Sequence, residues 1–467
     1  MEVDLRGLQG NIFFSYGSTY GVVRNLVLRV AEPAAARAAL SSLVDGDPST
    51  PQVTGAERSP KEAGLTACLN VGFTWRGLQA LGLPESSLES FPPEFRQGMV
   101  ARAARLGDTG ASSPEKWIAG LGDDANVHLL VTIHGRSVDD LSTMSAEVLA
   151  LQGGRAFVPV AAEGPPDGAF FIGEDHQRRV HFGYVDGLSQ PRFEGIHPEP
   201  TVRGQPFTPV GAILLGHPAP LPAVEWRVPD PYRDLGFEGT FNAFRVLDQD
   251  VAGFEDFLHD ASSQFDCSVE EVAAKMCGRW RDGAPLVLEP TEPVSTVPEV
   301  DLNQFGYQEH DPDGLRCPIG SHIRRANPRD ARIVQRGSND VRSVLRRGMP
   351  FGPKYEHAQA GSKEYRETRR GLLGNFICAS LSAQFEAMQS DWINLGLQDP
   401  RITGTNDPMT GANDGASGCF EWTTSKGARV VMRDLPSFVT TLGGAYCFIP
   451  TLRAIGWIGE GAWSTGP

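Results

Sequence analysis

The N-terminal third of this 467-residue chain alternates short apolar runs with segments of helical periodicity. The apolar runs predict four strands, at 22–30, 66–74, 128–134 and 157–162. Helices are predicted between them, from Pro33 to about Leu43, around 78–81, and from Val138 to Leu151. A β-α-β order that occurs twice is typical of a ferredoxin-like α+β unit, with helices on one face of an antiparallel sheet.

The same kinds of element recur in the rest of the chain, after a Gly/Pro-rich segment at 164–210. Strands are predicted at 211–215, 240–247 and 445–449, and helices at 251–258, 269–280 and 379–395. In the last of these helices an apolar stripe of Leu381, Phe385, Met388 and Trp392 is expected to lie in the core. We therefore predict an α+β fold of two ferredoxin-like domains, at 1–200 and 201–467, with one topology in both halves.

Charge and cysteine usage narrow the class of protein. Lys and Arg total 42 against 57 Asp and Glu, a net charge of -15 that disfavours nucleic-acid binding. The seven cysteines are an odd number without CxxC spacing, which favours a reducing compartment over a disulfide framework. Neither a signal peptide nor a transmembrane run is recognisable, so we expect a cytoplasmic protein without a membrane partner.

The segment GYVDG at 183–187 is the first candidate for chemistry, since the common hydrolase, P-loop, zinc and dinucleotide motifs are absent. An Asp between turn formers most often caps nearby backbone amides. In the alternative interpretation, Gly187 lets the backbone approach a flat ligand, and Asp186 directs a carboxylate into a cavity. A carboxylate placed there can move a proton between the two oxygens of a peroxide.

The segment RCPIGSHIRRANPRD at 316–330 is the second candidate. A neutral imidazole such as that of His322 is the usual iron ligand in haem proteins that handle peroxide. Arg324, Arg325 and Arg329 could pair with haem propionates. A packed structural His and a solvated basic face are the alternatives.

The run LRRGMPFG at 345–352 is the third candidate. A guanidinium above an iron would hold peroxide and stabilise the charge on its departing oxygen, and it stays protonated at any working pH. Arg346 and Arg347 are both candidates for this role. A surface turn is an equally good explanation of the run.

In this order the three segments resemble those of the dye-decolourising peroxidase family. Its GxxDG signature is similar to Gly183, Asp186 and Gly187, and its CPxxAHIRRxNPR segment is similar to residues 317–329. Similarity extends over most of the chain, including LNVGFTWRGLQALGL at 69–83 and GGAYCFIPTLRAI at 443–455. The length is similar to that of the larger, insertion-bearing branch of the family.

The resemblance implies haem b in the C-terminal domain, with His322 as its iron ligand and Asp186 and Arg346 on the peroxide side. It implies that Asp407 accepts the Nδ1 proton of His322 and that Leu373 contacts the haem. A loop Asp that caps local amides is the alternative for Asp407. The family's RGLLF run has an aromatic residue where this chain has Gly374, and Phe376 follows two positions later.

The implied activity is reduction of hydrogen peroxide through a ferryl intermediate, followed by one-electron oxidation of bulky dyes or phenols. A monomer or homodimer is expected. A haem carrier or sensor without turnover is the first alternative, although storage requires neither Asp186 nor Arg346. A haem-free interaction protein that docks through its Arg-rich segment is the second.

Overall fold

The computed structural model describes residues 3–173, 176–197, 204–220, 226–230, 235–291, 298–331, 339–461 and 463. The strands are β1 Val22–Val30, β2 Ala67–Phe73, β3 Leu129–Gly135, β4 Phe157–Pro159, β5 Gly168–Ala169, β6 Phe171–Ile172, β7 Arg178–Arg179, β8 Arg192–Phe193, β9 Phe207–Thr208, β10 Thr240–Gln249, β11 Leu345–Phe351, β12 Gly371–Cys378, β13 Cys419–Thr423, β14 Arg429–Arg433 and β15 Val439–Ile449. The helices are α1 Pro33–Ser42, α2 Trp75–Ala80, α3 Glu85–Ser90, α4 Pro93–Gln97, α5 Met99–Leu106, α6 Val138–Ala150, α7 Val251–Phe265, α8 Val269–Cys277, α9 Tyr307–His310, α10 His322–Ala326, α11 Lys363–Glu367, the π-helix Leu381–Asn394 and α12 Leu452–Glu460.

The N-terminal half is a ferredoxin-like sheet with the strand order β4-β1-β3-β2 and antiparallel pairing throughout. Helix α1 follows β1 and helix α6 follows β3. Helix α6 begins at a capping box, in which Ser137 accepts a hydrogen bond from the Asp140 amide and Asp140 accepts one from the Ser137 amide. The predicted β-α-β order of this half is confirmed, with bounds within a few residues of those expected.

The C-terminal half repeats the same order, because β15, β10, β12 and β11 lie side by side and are antiparallel. The predicted α+β class and the shared topology are therefore confirmed. The sequence did not predict β11 and β12, since Arg-Arg-Gly in one and two glycines in the other lower strand propensity. Their partner strands supply the hydrogen bonds and packing that propensity does not.

The two half-sheets join at both edges to form one closed sheet. At one junction Phe73 of β2 is paired with Phe448 of β15. At the other, Gly168 of β5 is paired with both β1 and β11. A Cβ at position 168 would lie 2.6 Å from the Met349 side chain and 2.8 Å from that of Val23, so only glycine fits there.

One sequence prediction about an element is wrong, and one predicted helix is present with a different winding. Residues 211–215 do not form a strand; Val210–Ala212 is a 3₁₀ turn that follows Pro209, and the apolar residues after it are buried without joining the sheet. Residues 381–394 form a π-helix, not an α-helix. The four apolar side chains of its predicted stripe have two different environments. Leu381 and Phe385 lie in the core, whereas Met388 and Trp392 also line the large cavity described below.

The division into domains at residue 200 remains a prediction, and 198–203 lie outside the described residues. Helix α12 at the C-terminal end packs on α1 of the N-terminal half, so the halves are interleaved. The seven cysteines are all free thiols. In the described part of the chain, none of the helices combines the length and the apolar character that crossing a bilayer requires.

A buried ion pair between the halves makes a strong prediction for stability. Asp108 follows α5, and its two oxygens accept hydrogen bonds from Arg245 of β10 at 2.6 and 2.7 Å. Both side chains are less than 5% exposed. Asp108→Ala would leave the guanidinium buried without its counter-charge, so we expect the free energy of unfolding to fall by about 3–5 kcal/mol in urea titrations.

The double variant Asp108→Leu/Arg245→Met is the control for this prediction. Removing both charges leaves neither of them uncompensated, so it should recover most of the lost stability. Equal destabilisation in the single and double variants would contradict the electrostatic explanation.

Candidate active site

A cavity of about 800 Å³ lies between the loop that contains Asp186, helix α10 and the start of β11. Its volume is within the range of sites for small molecules and cofactors. It is lined by Asp186, Gly187, His322, Arg329 and Arg346, five of the eight residues that the sequence singled out. Its apolar lining includes Leu188, Phe207, Ile323, Val344, Met388 and Trp392.

His322 is the first residue of helix α10, and its ring lines the cavity. Nδ1 lies 3.0 Å from Oδ2 of Asp407 and donates its proton to that oxygen. Nε2 has no hydrogen-bond partner among the described residues, and the side chain is 28% exposed. A hydrogen bond at Nδ1 fixes the tautomer in which Nε2 has a free lone pair, the state in which imidazole binds metals.

Asp407 is fully buried, and its two oxygens have different partners. Oδ1 accepts hydrogen bonds from the amides of Met409 and Thr410, so the residue caps its own loop. Oδ2 accepts the hydrogen bond from His322. Burial alone would raise the pKa of Asp407, but the electrostatic interaction and hydrogen bond with His322, together with the nearby Arg325 guanidinium, outweigh it and lower this pKa below its ordinary value. Asp407 is therefore a carboxylate that holds the His322 ring in place.

Arg325 holds these two elements together, a role that the sequence did not reveal. Its guanidinium donates to the carbonyls of Gly320, before α10, and of Thr405, in the loop that contains Asp407. A third bond reaches the Trp392 carbonyl at the end of the π-helix. The sequence does not show which arginine of a basic run is buried, because burial depends on hydrogen-bond partners that lie far away in the chain.

The loop that contains Asp186 is fixed by its backbone. The Asp186 amide donates to the carbonyl of Arg178, and the Val185 amide donates to that of Arg281. Gly183 and Gly187 have φ of +86° and +76°, values that favour glycine. The carboxylate of Asp186 accepts no hydrogen bond from any described residue, so the alternative of an Asp that caps local amides is not observed.

The structure distinguishes the two arginines of β11. Arg346 lines the cavity and donates to the Ser189 carbonyl at 2.5 Å, close to the Asp186 loop. Arg347 points to the other face of the strand, where it donates to the carbonyls of Asn11 and Ile12. Burial lowers the pKa of Arg347 to about 10. Successive side chains of a strand point to opposite faces, so only Arg346 can act in the large cavity.

The predictions for Arg324 and Leu373 do not agree with the structure. Arg324 is buried behind the cavity wall, where it donates to Asp311 and to the Cys317 carbonyl. Leu373 lies in the main core, because it is paired with Met349 on the face of the sheet opposite to Arg346. Neither side chain lines the cavity.

Phe376 occupies the space beside Gly374, the position where the resemblance led us to expect an aromatic residue. A Cβ at position 374 would lie 2.7 Å from Cε2 of Phe376, so the ring covers this glycine. Phe376 is the cross-strand partner of Arg346, and the two side chains therefore share a face. An aromatic ring is thus present on this face, although it comes from a position two residues later in the sequence.

The side chains around the cavity fit a haem. Arg329 lines it, lies 3.8 Å above the Phe305 ring and donates to the Asn303 carbonyl, and Arg279 and Arg342 line it as well. These cations can pair with propionates. No group of three or more His, Cys, Asp or Glu side chains suited to a metal ion occurs within the described ranges. His322 could hold the iron of a haem through its free Nε2.

Buried His181, five residues before Asp186, is expected to make the protein less stable in acid. Its Nε2–H donates to the Phe351 carbonyl at 2.8 Å, and burial lowers its pKa from 6.5 to about 4. Between these values the unfolded chain binds a proton that the folded chain does not. The free energy of unfolding should therefore decrease as the pH is lowered from 6.5 to 4, by about 3 kcal/mol for this group.

The measurement is urea unfolding of the wild type and of His181→Gln at pH 7 and pH 4.5. Gln keeps a donor for the Phe351 carbonyl but does not titrate. The variant should lose less stability on acidification than the wild type, and equal losses would contradict the assignment to His181.

Comparisons with known proteins agree with this architecture. A model of the DyP dimeric alpha+beta barrel domain matches residues 30–161. The dye-decolorizing peroxidase msp1 of Mycetinis scorodonius is 28% identical over 87% of this chain and 78% of its own length. The multifunctional dye peroxidase DyP2 of an Amycolatopsis species is 28% identical over 88% and 86%. A solved dye-decolorizing peroxidase, in complex with 2,6-dimethoxyphenol, is 26% identical, with a TM-score of 0.81 over 98% of this chain and all of the other.

The fold and the site together define an enzyme of the peroxidase class, an oxidoreductase with an α+β sheet and a large cavity. The similarity extends over both halves of the chain and includes the segments that line the cavity. In sequence and in fold, the chain is similar to the dye-decolourising peroxidases over most of its length.

Proposed function

We propose that this protein is a haem b peroxidase that reduces hydrogen peroxide and oxidises bulky dyes or phenolic compounds by one-electron steps. The main support is one arrangement of side chains. The imidazole of His322 is oriented by a buried carboxylate, and it lines the same cavity as Asp186 and Arg346.

In this proposal His322 holds the haem iron through Nε2, and Arg329 pairs with a propionate. Gly187 keeps the backbone close to the flat face of the cofactor. Bound haem would supply the redox-active iron at which peroxide is reduced.

The remaining steps belong to side chains of the chain. Asp186 would accept a proton from one peroxide oxygen and return it to the other, which would take the O–O bonding pair and leave as water. The remaining oxygen would stay with the cofactor until two one-electron donors reduce it. Arg346 holds the peroxide and stabilises negative charge on the departing oxygen. Asp407 accepts the hydrogen bond from Nδ1–H of His322 and so makes Nε2 a stronger electron-pair donor to the iron.

The substrate class comes from relatives. The related proteins are named dye peroxidases, and one solved structure holds 2,6-dimethoxyphenol. We further propose a cytoplasmic location, a monomer or homodimer, and no nucleic-acid or membrane partner.

The test is purification after expression with ample haem, followed by a spectrum before and after one equivalent of peroxide. A peroxidase should show a Soret band that peroxide changes at once, and it should oxidise an anthraquinone dye. A carrier would show the band but only background dye oxidation, and a haem-free docking protein would show no band. Either of the last two results would overturn the proposal.

Arg346→Leu should slow the reaction with peroxide without unfolding the protein. Loss of a charge that stabilises the departing oxygen typically costs about 10²–10³ in rate. Because Arg346 is largely exposed to the cavity, the melting temperature should change little. Stopped-flow measurement of the Soret change gives the rate.

The matched comparison is Arg347→Leu. This change leaves the carbonyls of Asn11 and Ile12 without their donor, so it should lower the melting temperature and affect the peroxide rate far less. A larger rate effect at position 347 than at 346 would contradict the assignment.

A further inference from the structure

A second cavity, of about 300 Å³, lies beside the first one on the side of the N-terminal segment. The two cavities share Asp186 and Arg346, whereas Arg178, Arg347 and His134 line only the second. Its volume is at the lower end of the range for ligand sites, which suits a compound of one ring better than a polycyclic dye.

The second cavity is strongly cationic, although the protein as a whole has a charge of -15. Among its described lining residues are four arginines, at 178, 192, 346 and 347, and a single acidic residue, Asp186. An excess of positive charge within partly apolar walls concentrates anions at such a site.

Arg178 is the guanidinium best placed to receive an anion. It lies 4.5 Å above the Phe170 ring, and this stacking holds the planar group in one orientation. No ion pair or side-chain hydrogen bond involves it within the described ranges. An oriented guanidinium with open donors matches the two oxygens of a carboxylate.

Two further observations indicate an organic ligand. His134 lines this cavity, is only 8% exposed, and has an Nδ1 atom without a partner among the described residues. Such a buried polar atom is costly unless a ligand or water satisfies it. Phe13, Phe170 and Phe193 supply aromatic surface in the same walls.

We propose that this second cavity is a binding site for small aromatic carboxylates, with the carboxylate paired to Arg178 and the ring against the phenylalanines. The site lies directly beside Asp186. Its relevance to turnover rests on the proposed peroxidase function, for which it names a class of molecule that can reach the peroxide side.

The experiment is isothermal titration of the haem-loaded full-length protein with sodium benzoate, and with benzamide as the neutral analogue. Arg178→Met should raise the Kd for benzoate at least tenfold, and Arg178→Lys should raise it less, because Lys keeps the charge but loses the planar fork. Arg433→Met, an exposed site on β14, is the control and should not change it. Benzamide should bind the wild type at least tenfold more weakly than benzoate.

Three results would overturn the proposal: no binding of benzoate, equal binding by the wild type and Arg178→Met, or displacement of benzoate by chloride at a similar concentration. The last would show a general anion site. The titration does not depend on turnover. If the protein oxidises dye but does not bind benzoate, only the proposal for the second cavity is refuted. If it binds benzoate but has no peroxidase activity, only the proposed function is refuted.

Discussion

Asp186→Asn is expected to lower kcat/KM for hydrogen peroxide by about 10²–10⁴-fold, the range typical of lost general acid–base catalysis. Asn matches the size of Asp but cannot accept a proton and return it. The Asp186 carboxylate has no described hydrogen-bond donor to lose, and the loop is held by backbone bonds. Haem content and melting temperature should therefore stay close to the wild-type values.

The matched control is Asp139→Asn, the same chemical change at an exposed position of α6. Asp186→Glu adds a second comparison, since it restores a titrating group at a slightly different distance and should recover part of the rate. Wild-type kcat/KM in Asp186→Asn would exclude this residue as the proton carrier.

His322→Ala is expected to have the largest effect on cofactor retention. It removes the one described imidazole that both lines the large cavity and has a buried carboxylate partner. Changes to outer-shell groups cost about 10–100-fold in metal affinity, so loss of the ligand should cost more. We expect the Kd for haem to rise by more than about 100-fold, measured by haem transfer to an excess of apomyoglobin.

Two further variants separate the ligand from its support. Asp407→Asn should weaken haem binding by about 10–100-fold, because it removes the charge that orients His322. His310→Ala changes a second cavity-lining imidazole, whose Nδ1 lies near the Gly306 carbonyl, and it should leave haem affinity nearly unchanged. A stronger effect at His310 than at His322 would show that His322 is not the iron ligand.

Local patterns predicted much of the fold. Strands β1, β2, β3 and β10 and helices α1, α6 and α7 were expected from apolar spacing and, for α1, from Pro33 at the helix start. Strands β11 and β12 were not, since their sequences contain Arg-Arg-Gly and repeated glycine. Such segments become strands through pairing across the sheet, and a local pattern does not contain that information.

The candidate site shows the same division. Ordered motifs singled out Asp186, His322, Arg346 and Asp407; the first three line one cavity, and Asp407 accepts a hydrogen bond from His322. They predicted a haem contact for Leu373, whose side chain lies on the opposite face of β12. A shift of one residue along a strand moves a side chain to the other face of the sheet. They also misjudged Arg324, whose burial depends on Asp311 and Cys317.

The sequence by itself determined the strand and helix order of the N-terminal half, part of that order in the C-terminal half, and the residue types available for catalysis. Periodicity and side-chain chemistry are local properties, and they can be read without coordinates. Only the tertiary structure decided that the two sheets close on each other, and that Arg346, not Arg347, enters the large cavity. It also revealed that Arg325 holds Asp407 against His322, because that depends on contacts between residues about 80 positions apart in the chain.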